Sequence, residues 1–373
     1  MPDPVDPHPS GTPARVDERD VMFARMARTP GTVAYDEYYR RHPERRAADD
    51  HLRARPGLLT PGESHYDEAI CGDAAASFRA IDTFIPDTRD VDAWADQLRH
   101  AADLSRSICE GLVRRGACAA GIAALDQRVV YTHKGRFDAD YGQPVQLPHA
   151  AAIVFLVEME FGAMQHAPGA PVIAESARQY LRAAQLALTL ATALRAAGFN
   201  AKAHYDAHYD VILPPLAVAA GLGEMGRHHI LVADRAGTRV RIGAVTTDAP
   251  LLAGRPVSLG VERFCRICKK CAHNCPSHAL SDGDPTMTDG IPLWPTRAGR
   301  CYGYWRTVGT DCGICMAVCP FSHPDTPLHR VVRSALRRAP WLARVALWFD
   351  DRLYGHSWAD RQRRQPGSPS RRT

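Results

Sequence analysis

Eight of the eleven cysteines fall into two stretches whose spacing implies metal chemistry. In FCRICKKCAHNCP, Cys265, Cys268, Cys271 and Cys275 are separated by two, two and three residues, and Pro276 follows directly. Three thiolates in so short a loop can grip three irons of one cube, while the fourth reaches a second cube. The later stretch carries Cys312, Cys315, Cys319 and Pro320, with Gly309 where the repeat would place its first cysteine. Cys301 is the obvious substitute, which gives eight ligands for two 4Fe-4S clusters. By the logic of this run, Cys265, Cys268, Cys271 and Cys319 hold one, and Cys275, Cys301, Cys312 and Cys315 the other. Structural zinc sites with four cysteines also use two-residue spacings. They do not require a three-plus-one run closed by proline, which occurs here twice.

Two clusters pass single electrons, and the module that holds them occupies 258–325, so the preceding residues should hold whatever receives the electrons. The chain has 373 residues, enough for one large domain and a smaller appendage. A hydrophobic content of 45% and a charged content of 23% are ordinary for a globular protein. The net charge of +5 is mild and concentrated near the C-terminus, where a solvated basic tail is the plain reading. No apolar run approaches the ~20 residues of a membrane span. MPDPVDPHPSGTP has five prolines in thirteen residues and no apolar core, so it reads as a disordered leader and not a signal peptide. These features predict a cytoplasmic protein without a nucleic-acid partner, its cysteines thiols or metal ligands. Cys71, Cys109 and Cys118 have no partner spacing and are expected to be small buried residues.

The elements that must position this chemistry are partly visible. Apolar residues recur at helical period over 90–115, closed by Gly116. AAIVFLVEM (151–159) reads as a buried strand, and 176–198 as a strong alanine- and leucine-rich helix ended by Gly198. HILVAD and RVRIGAVTTD read as two strands joined by a turn around Gly237. Helices and strands alternate irregularly, so α+β and α/β both remain open. Gly221-x-Gly223-x-x-Gly226 has dinucleotide-fingerprint spacing, but it does not follow a strand and open a helix.

The stretch 221–251, directly ahead of the cysteine run, resembles the corrinoid-dependent reductive dehalogenases and, more distantly, the epoxyqueuosine reductases. LDQRVVYTH (125–133), LPHAAAIVFLVEMEF (147–161), the helix bearing Tyr180, AAGFNA (196–201) and CYGYWRTVGTDCGICMAVCPF (301–321) resemble the dehalogenase family in the same order. The resemblance covers roughly 90–355. It implies an α+β fold: a nitroreductase-like cobalamin-binding core with a ferredoxin-like two-cluster domain. The corresponding division is a leader over 1–60, largely disordered or extended, and a catalytic domain over 61–257. The cluster domain over 258–325 follows, then an extension over 326–360 packing on the core and a disordered tail over 361–373. The corrinoid is expected base-off, in keeping with the lack of an Asp-x-His-x-x-Gly motif.

The resemblance also assigns roles. Tyr180 matches the proton donor above cobalt, and Arg241 matches the basic residue beside it. A fixed cation favours the phenolate of a phenol whose reference pKa is ~10, and arginine stays protonated. Asp206 falls where an asparagine lines the family's site, and pairing with nearby Lys202 would relieve its charge. Gly221, Gly223, Gly226 and Arg227 are assigned to cofactor binding. The implied activity replaces a carbon-bound halogen by hydrogen in a small substrate, with electrons from a ferredoxin- or flavodoxin-type donor. Its rivals are deoxygenation like that of epoxyqueuosine reductase, a corrinoid-free iron–sulfur reductase on the same fold, and a plain electron-transfer protein.

Overall fold

A computed structural model describes residues 15–288 and 291–364. It opens with three helices, α1 (Met22–Ala27), α2 (Val33–Arg41) and α3 (Pro43–Arg53). Their core is Tyr35, Tyr38 and Tyr39, with the Arg25–Asp49 ion pair buried beside it. The expectation of an extended leader over 1–60 is therefore not met from Asp17 onward. The proline-rich composition that prompted it is confined to residues outside the described range. What orders the rest is tyrosine packing and buried ion pairs, which leave no aliphatic periodicity to read.

Next come α4 (Glu68–Thr83), α5 (Thr88–Arg99) and α6 (Leu104–Arg114). The single helix read over 90–115 is thus two, because Asp103 accepts a hydrogen bond from the Arg106 amide and caps a new start. Strands β1 (Ala119–Ala124) and β2 (Ala151–Glu158) follow, then the short α7 (Phe161–Met164), the long α8 (Ala170–Ala196) and β3 (Ala201–His204). Helix α9 (Leu213–Ala219), strands β4 (Gly223–Met225), β5 (Leu231–Ala233) and β6 (Val240–Thr247) complete the core.

The central sheet has the order β1-β2-β6-β3, antiparallel throughout. Strand β2 is buried on both faces, which explains its unbroken apolar run. Ile153, Phe155 and Val157 face α5, α6 and α8, while Ala152, Val154 and Leu156 face α9 and the 125–147 segment. Phe155 lies opposite Gly243, where a side chain would strike its ring. The architecture is α+β, as expected. Strands β5 and β6 belong to different sheets, since β5 pairs with β4. The turn between them holds Gly237 at φ +59° against the Phe321 carbonyl.

The cysteine-rich part comprises α10 (Val261–Cys268), α11 (Lys270–His273), the hairpin β7 (Thr286–Thr288) and β8 (Ile291–Leu293), α12 (Ala298–Val308) and α13 (Ile314–Ala317). It is followed by α14 (Pro327–Arg338), α15 (Ala343–Tyr354) and α16 (Trp358–Arg364). The extension over 326–360 packs not on the central sheet but on α10, through Leu336, Ala343 and Leu347 against Phe264 and Phe321. The tail expected to be disordered from 361 starts inside α16. Arg361 is buried there, paired with Asp350 and donating to the Ala317 carbonyl. Residues 365–373 lie outside the described residues. Among the described residues, no helix is long and apolar enough to cross a membrane.

Candidate functional site

The eight clustered cysteines are delivered by helix starts and sharp turns. Helix α10 carries Cys265 and Cys268, and Lys269 at φ +53° turns the chain into α11 with Cys271. Cys301 lies on α12, Cys312 (φ +58°) and Gly313 (φ +75°) reverse the chain into α13, and Cys319 stands directly before Pro320. The thiols form two neighbouring sets. Cys271 is influenced by Cys265, Cys319, Cys315 and Cys268, and Cys312 by Cys301 and Cys275. Cys315 feels Cys312, Cys301, Cys275 and Cys319, so the two sets adjoin. Burial, reinforced by neighbouring sulfurs, pushes Cys265, Cys268, Cys312 and Cys319 up to about 12 and Cys301 up to about 11. Such thiols ionise only when metal charge compensates.

Among the described residues, no three His, Cys, Asp or Glu side chains converge tightly enough to hold one metal ion. Instead Cys265, Cys268, Cys271 and Cys319 line one small shared cavity, closed by Arg227, His228, Phe264 and Phe321. Four thiols around open space suit a multi-atom cube better than a single tetrahedral ion.

A second constellation is assembled by α8, β6 and the residue before Cys312. Ser176 and Tyr180 are one helical turn apart on α8 and share a face. From β6, Arg241 places its guanidinium 4.6 Å from the Tyr180 ring centre. Its Nη2 donates to Ser176 Oγ at 2.6 Å and pairs with Asp311 Oδ2 at 3.1 Å. The Ser176 hydroxyl donates to the same carboxylate oxygen. Phe78 of α4 lies beside the Tyr180 ring, with centroids 6.3 Å apart. Burial pushes the Tyr180 phenol up to about 12; Arg241 opposes this, and Asp206 and Asp311 add to it.

Asp206 joins this group from the loop after β3. Burial raises its carboxyl above the ordinary range, against the pull of Arg136, Arg241 and His208. The expected partner Lys202 goes elsewhere: it and Lys134 both pair with the buried Asp210. Beside the loop, a cavity of ≈ 350 Å³ is lined by the cations Lys134, Arg136, Arg195 and Lys202, the carboxylates Glu18 and Asp140, and Leu188 and Tyr205. Its mixed charges and apolar wall suit a polar organic group such as the amide-bearing edge of a larger cofactor. The N-terminal segment contributes Glu18 to its lining and braces the 134–138 loop. Arg28 donates to the Gly135 carbonyl and pairs with Asp138, each at 2.7 Å, and Glu18 accepts from the Gly135 amide.

The glycine segment lies apart from this constellation. Gly221 (φ +77°) turns the chain after α9, Gly223 lies in β4 close against the Val232 carbonyl, and Gly226 abuts the His228 ring. Because the segment leads from helix into strand, the dinucleotide reading fails. Arg227 is 1% exposed and donates to the carbonyls of Cys265, Ser281 and Gly283, with Trp294 stacked against it. Its contacts serve the first thiol set. Of the residues singled out from sequence, Tyr180, Arg241 and Asp206 are thus brought together, whereas Gly221, Gly223, Gly226 and Arg227 are not. Ser176, Asp311 and Arg136 were missed. The one-turn spacing from Tyr180 and the position beside Cys312 were the available signals for the first two.

Comparison with known proteins gives a consistent picture, although no family model matches the chain. It is 33% identical over 240 residues to a tetrachloroethene reductive dehalogenase of Desulfitobacterium hafniense, covering 61% of this chain and 42% of that protein. A catabolic reductive dehalogenase solved in complex with 3-bromo-4-hydroxybenzoic acid superposes with a TM-score of 0.69 at 25% identity, covering 92% of this chain and 46% of the other. The chain thus spans less than half the length of either. A more distant match, 28% identical over 138 residues, is to the epoxyqueuosine reductase of a Synechococcus species, covering 34% of this chain and 40% of that protein.

Proposed function

We propose, from the premise that this chain is a relative of the reductive dehalogenases, that it is a corrinoid- and iron–sulfur-dependent oxidoreductase. Its reaction would replace a carbon-bound halogen in a small organic molecule by hydrogen, consuming two electrons and one proton and releasing halide. The observation that carries this reading is the junction at Asp311. The residue directly before Cys312 shares its carboxylate with Ser176 and Arg241, and Arg241 stacks on Tyr180.

In this scheme Cys275, Cys301, Cys312 and Cys315 hold the inner cluster and Cys265, Cys268, Cys271 and Cys319 the outer one. A cytoplasmic setting would keep these thiols reduced for metal, with a ferredoxin or flavodoxin as electron source. When bound, the corrinoid supplies the electron-rich metal that breaks the carbon–halogen bond, and the clusters deliver electrons singly. The chain itself manages the proton. Tyr180 is held protonated at its phenolic oxygen by burial, and donation to carbon leaves a phenolate that Arg241 stabilises. Asp206 is biased by burial toward its neutral form, which removes a charge that would repel departing halide.

The test is halide release by protein reconstituted anaerobically with iron, sulfide and cobalamin. The substrates are 3-bromo-4-hydroxybenzoate, the ligand of the solved relative, and tetrachloroethene, the substrate in the other relative's name. Release that requires cobalamin and falls at least ~10²-fold in Tyr180→Phe is expected. A protein that retains no cobalt after gel filtration, or a fully loaded Tyr180→Phe variant with unchanged rate, would overturn the scheme.

A further inference from the structure

Helices α14 and α15 form a hairpin whose inner side packs on α10 and whose outer side is conspicuously apolar. Trp341, Trp348, Phe349 and Leu353 are 76%, 55%, 52% and 62% exposed. The two helices flank an open groove of ≈ 420 Å³, lined by Leu328, Val331, Val345, Phe349 and Leu353. Its floor includes Phe264, Pro320 and Phe321, and these same three residues close the cavity of the outer thiol set. Lys270, between Cys268 and Cys271 in sequence, pairs with Asp350 and Asp351 and so ties α15 to the ligand loop.

The surroundings are strongly basic. Residues 326–364 contain nine arginines and three aspartates, with no lysine or glutamate, a net charge of +6. Arg338, Arg344 and Arg352 are exposed along the hairpin. An apolar centre with a charged rim is how brief protein encounters combine contact area with electrostatic steering. A second copy of this chain packed about a two-fold axis would set arginine against arginine. The terminal segments 1–14 and 365–373 have no apolar run to fill the groove, and the latter is itself basic. An anionic lipid surface would satisfy the charge but has no reason to lie over a redox centre.

We infer that the α14–α15 groove is the docking site of an acidic one-electron carrier protein of the ferredoxin or flavodoxin class. This rests on the proposed assignment of two clusters. Each encounter moves one electron from the reduced carrier to the oxidised outer cluster, so the carrier is oxidised by one electron and no bond is made or broken.

The experiment is stopped-flow reduction of the oxidised, reconstituted protein, with an acidic bacterial two-cluster ferredoxin or with dithionite as reductant. Wild type is compared with Arg338→Glu/Arg344→Glu and, separately, Phe349→Ala, whose ring lines the groove, at matched iron content. Reduction by ferredoxin should fall at least tenfold in the charge variant and fall with added salt in wild type, while dithionite reduces all three proteins equally. Ferredoxin rates equal to wild type in both variants would refute the docking site. Wild-type binding to anionic phospholipid vesicles, lost in the variants while the ferredoxin rate is unaffected, would reassign the surface to membrane and also refute it. Failure of dithionite to reduce wild type would instead refute the cluster reading on which the inference rests.

Discussion

Replacing Arg241 by glutamine separates two roles that its geometry combines. Its guanidinium lies 4.6 Å from the Tyr180 ring centre. At an effective dielectric of about 20, unit charges about 5 Å apart interact by about 3 kcal/mol, equal to about two pKa units. Loss of the cation thus raises the phenol by about that much. With about half the charge developed in the transition state, proton donation slows about tenfold, more if the phenol also loses its position. The second role is as counter-ion to Asp311, whose side chain is 11% exposed. Stranding that carboxylate costs about 3 kcal/mol of stability, at the lower end for a buried pair because Ser176 still donates to it. Asp311→Asn in the same chain should remove this cost. The expected result is that Arg241→Gln loses rate and thermal midpoint, while Arg241→Gln/Asp311→Asn regains the midpoint but not the rate. Halide release and unfolding, measured at equal iron and cobalt content, read the two separately. Recovery of rate in the double variant would show that Arg241 only neutralises Asp311.

Cys301→Ala should lower bound iron from about eight toward about four and leave one reducible paramagnetic centre; an unchanged iron count would disprove its ligand role. His204 is fully buried between Thr246 and the Asp210 amide, and burial lowers its pKa to about 3. The unfolded chain takes up this proton near pH 6.5, so the stability His204 contributes is complete above that pH and lost as pH falls toward 3. The thermal midpoint of wild type should drop over that window more steeply than that of His204→Gln, and parallel curves would count against this. Gly237→Ala adds a side chain at positive φ against the Phe321 carbonyl and should cost about 2–3 kcal/mol. A midpoint within one degree of wild type would mean that the turn relaxes freely.

Legibility in the sequence followed the range of the interaction concerned. The eight cysteines could be read because an iron–sulfur loop is set by local spacing. The buried strand β2 and helix α8 could be read because apolar runs report burial directly. Tyr180 and Arg241 became candidates only through resemblance, since nothing local separates a catalytic tyrosine from a packed one. Asp311 escaped notice although it adjoins a ligand. Its role depends on α8 and β6 meeting it from 135 and 70 residues away. The N-terminal helices were misread for a related reason. Their order comes from tyrosines and from ion pairs such as Arg25–Asp49, which in sequence look like solvated charge.

The distribution of the site over three segments has a consequence for assembly. Helix α8 and strand β6 belong to the central core, but Asp311 is held by the turn in which Cys312 reverses the chain at φ +58°. In the proposed scheme, metal at Cys312 and Cys315 is what stabilises that turn, because ligand binding contributes folding free energy to so small a module. A chain without its inner cluster would then lose the carboxylate that orients Arg241, and with it the charge that assists Tyr180. The electron path and the proton donor would therefore be completed together.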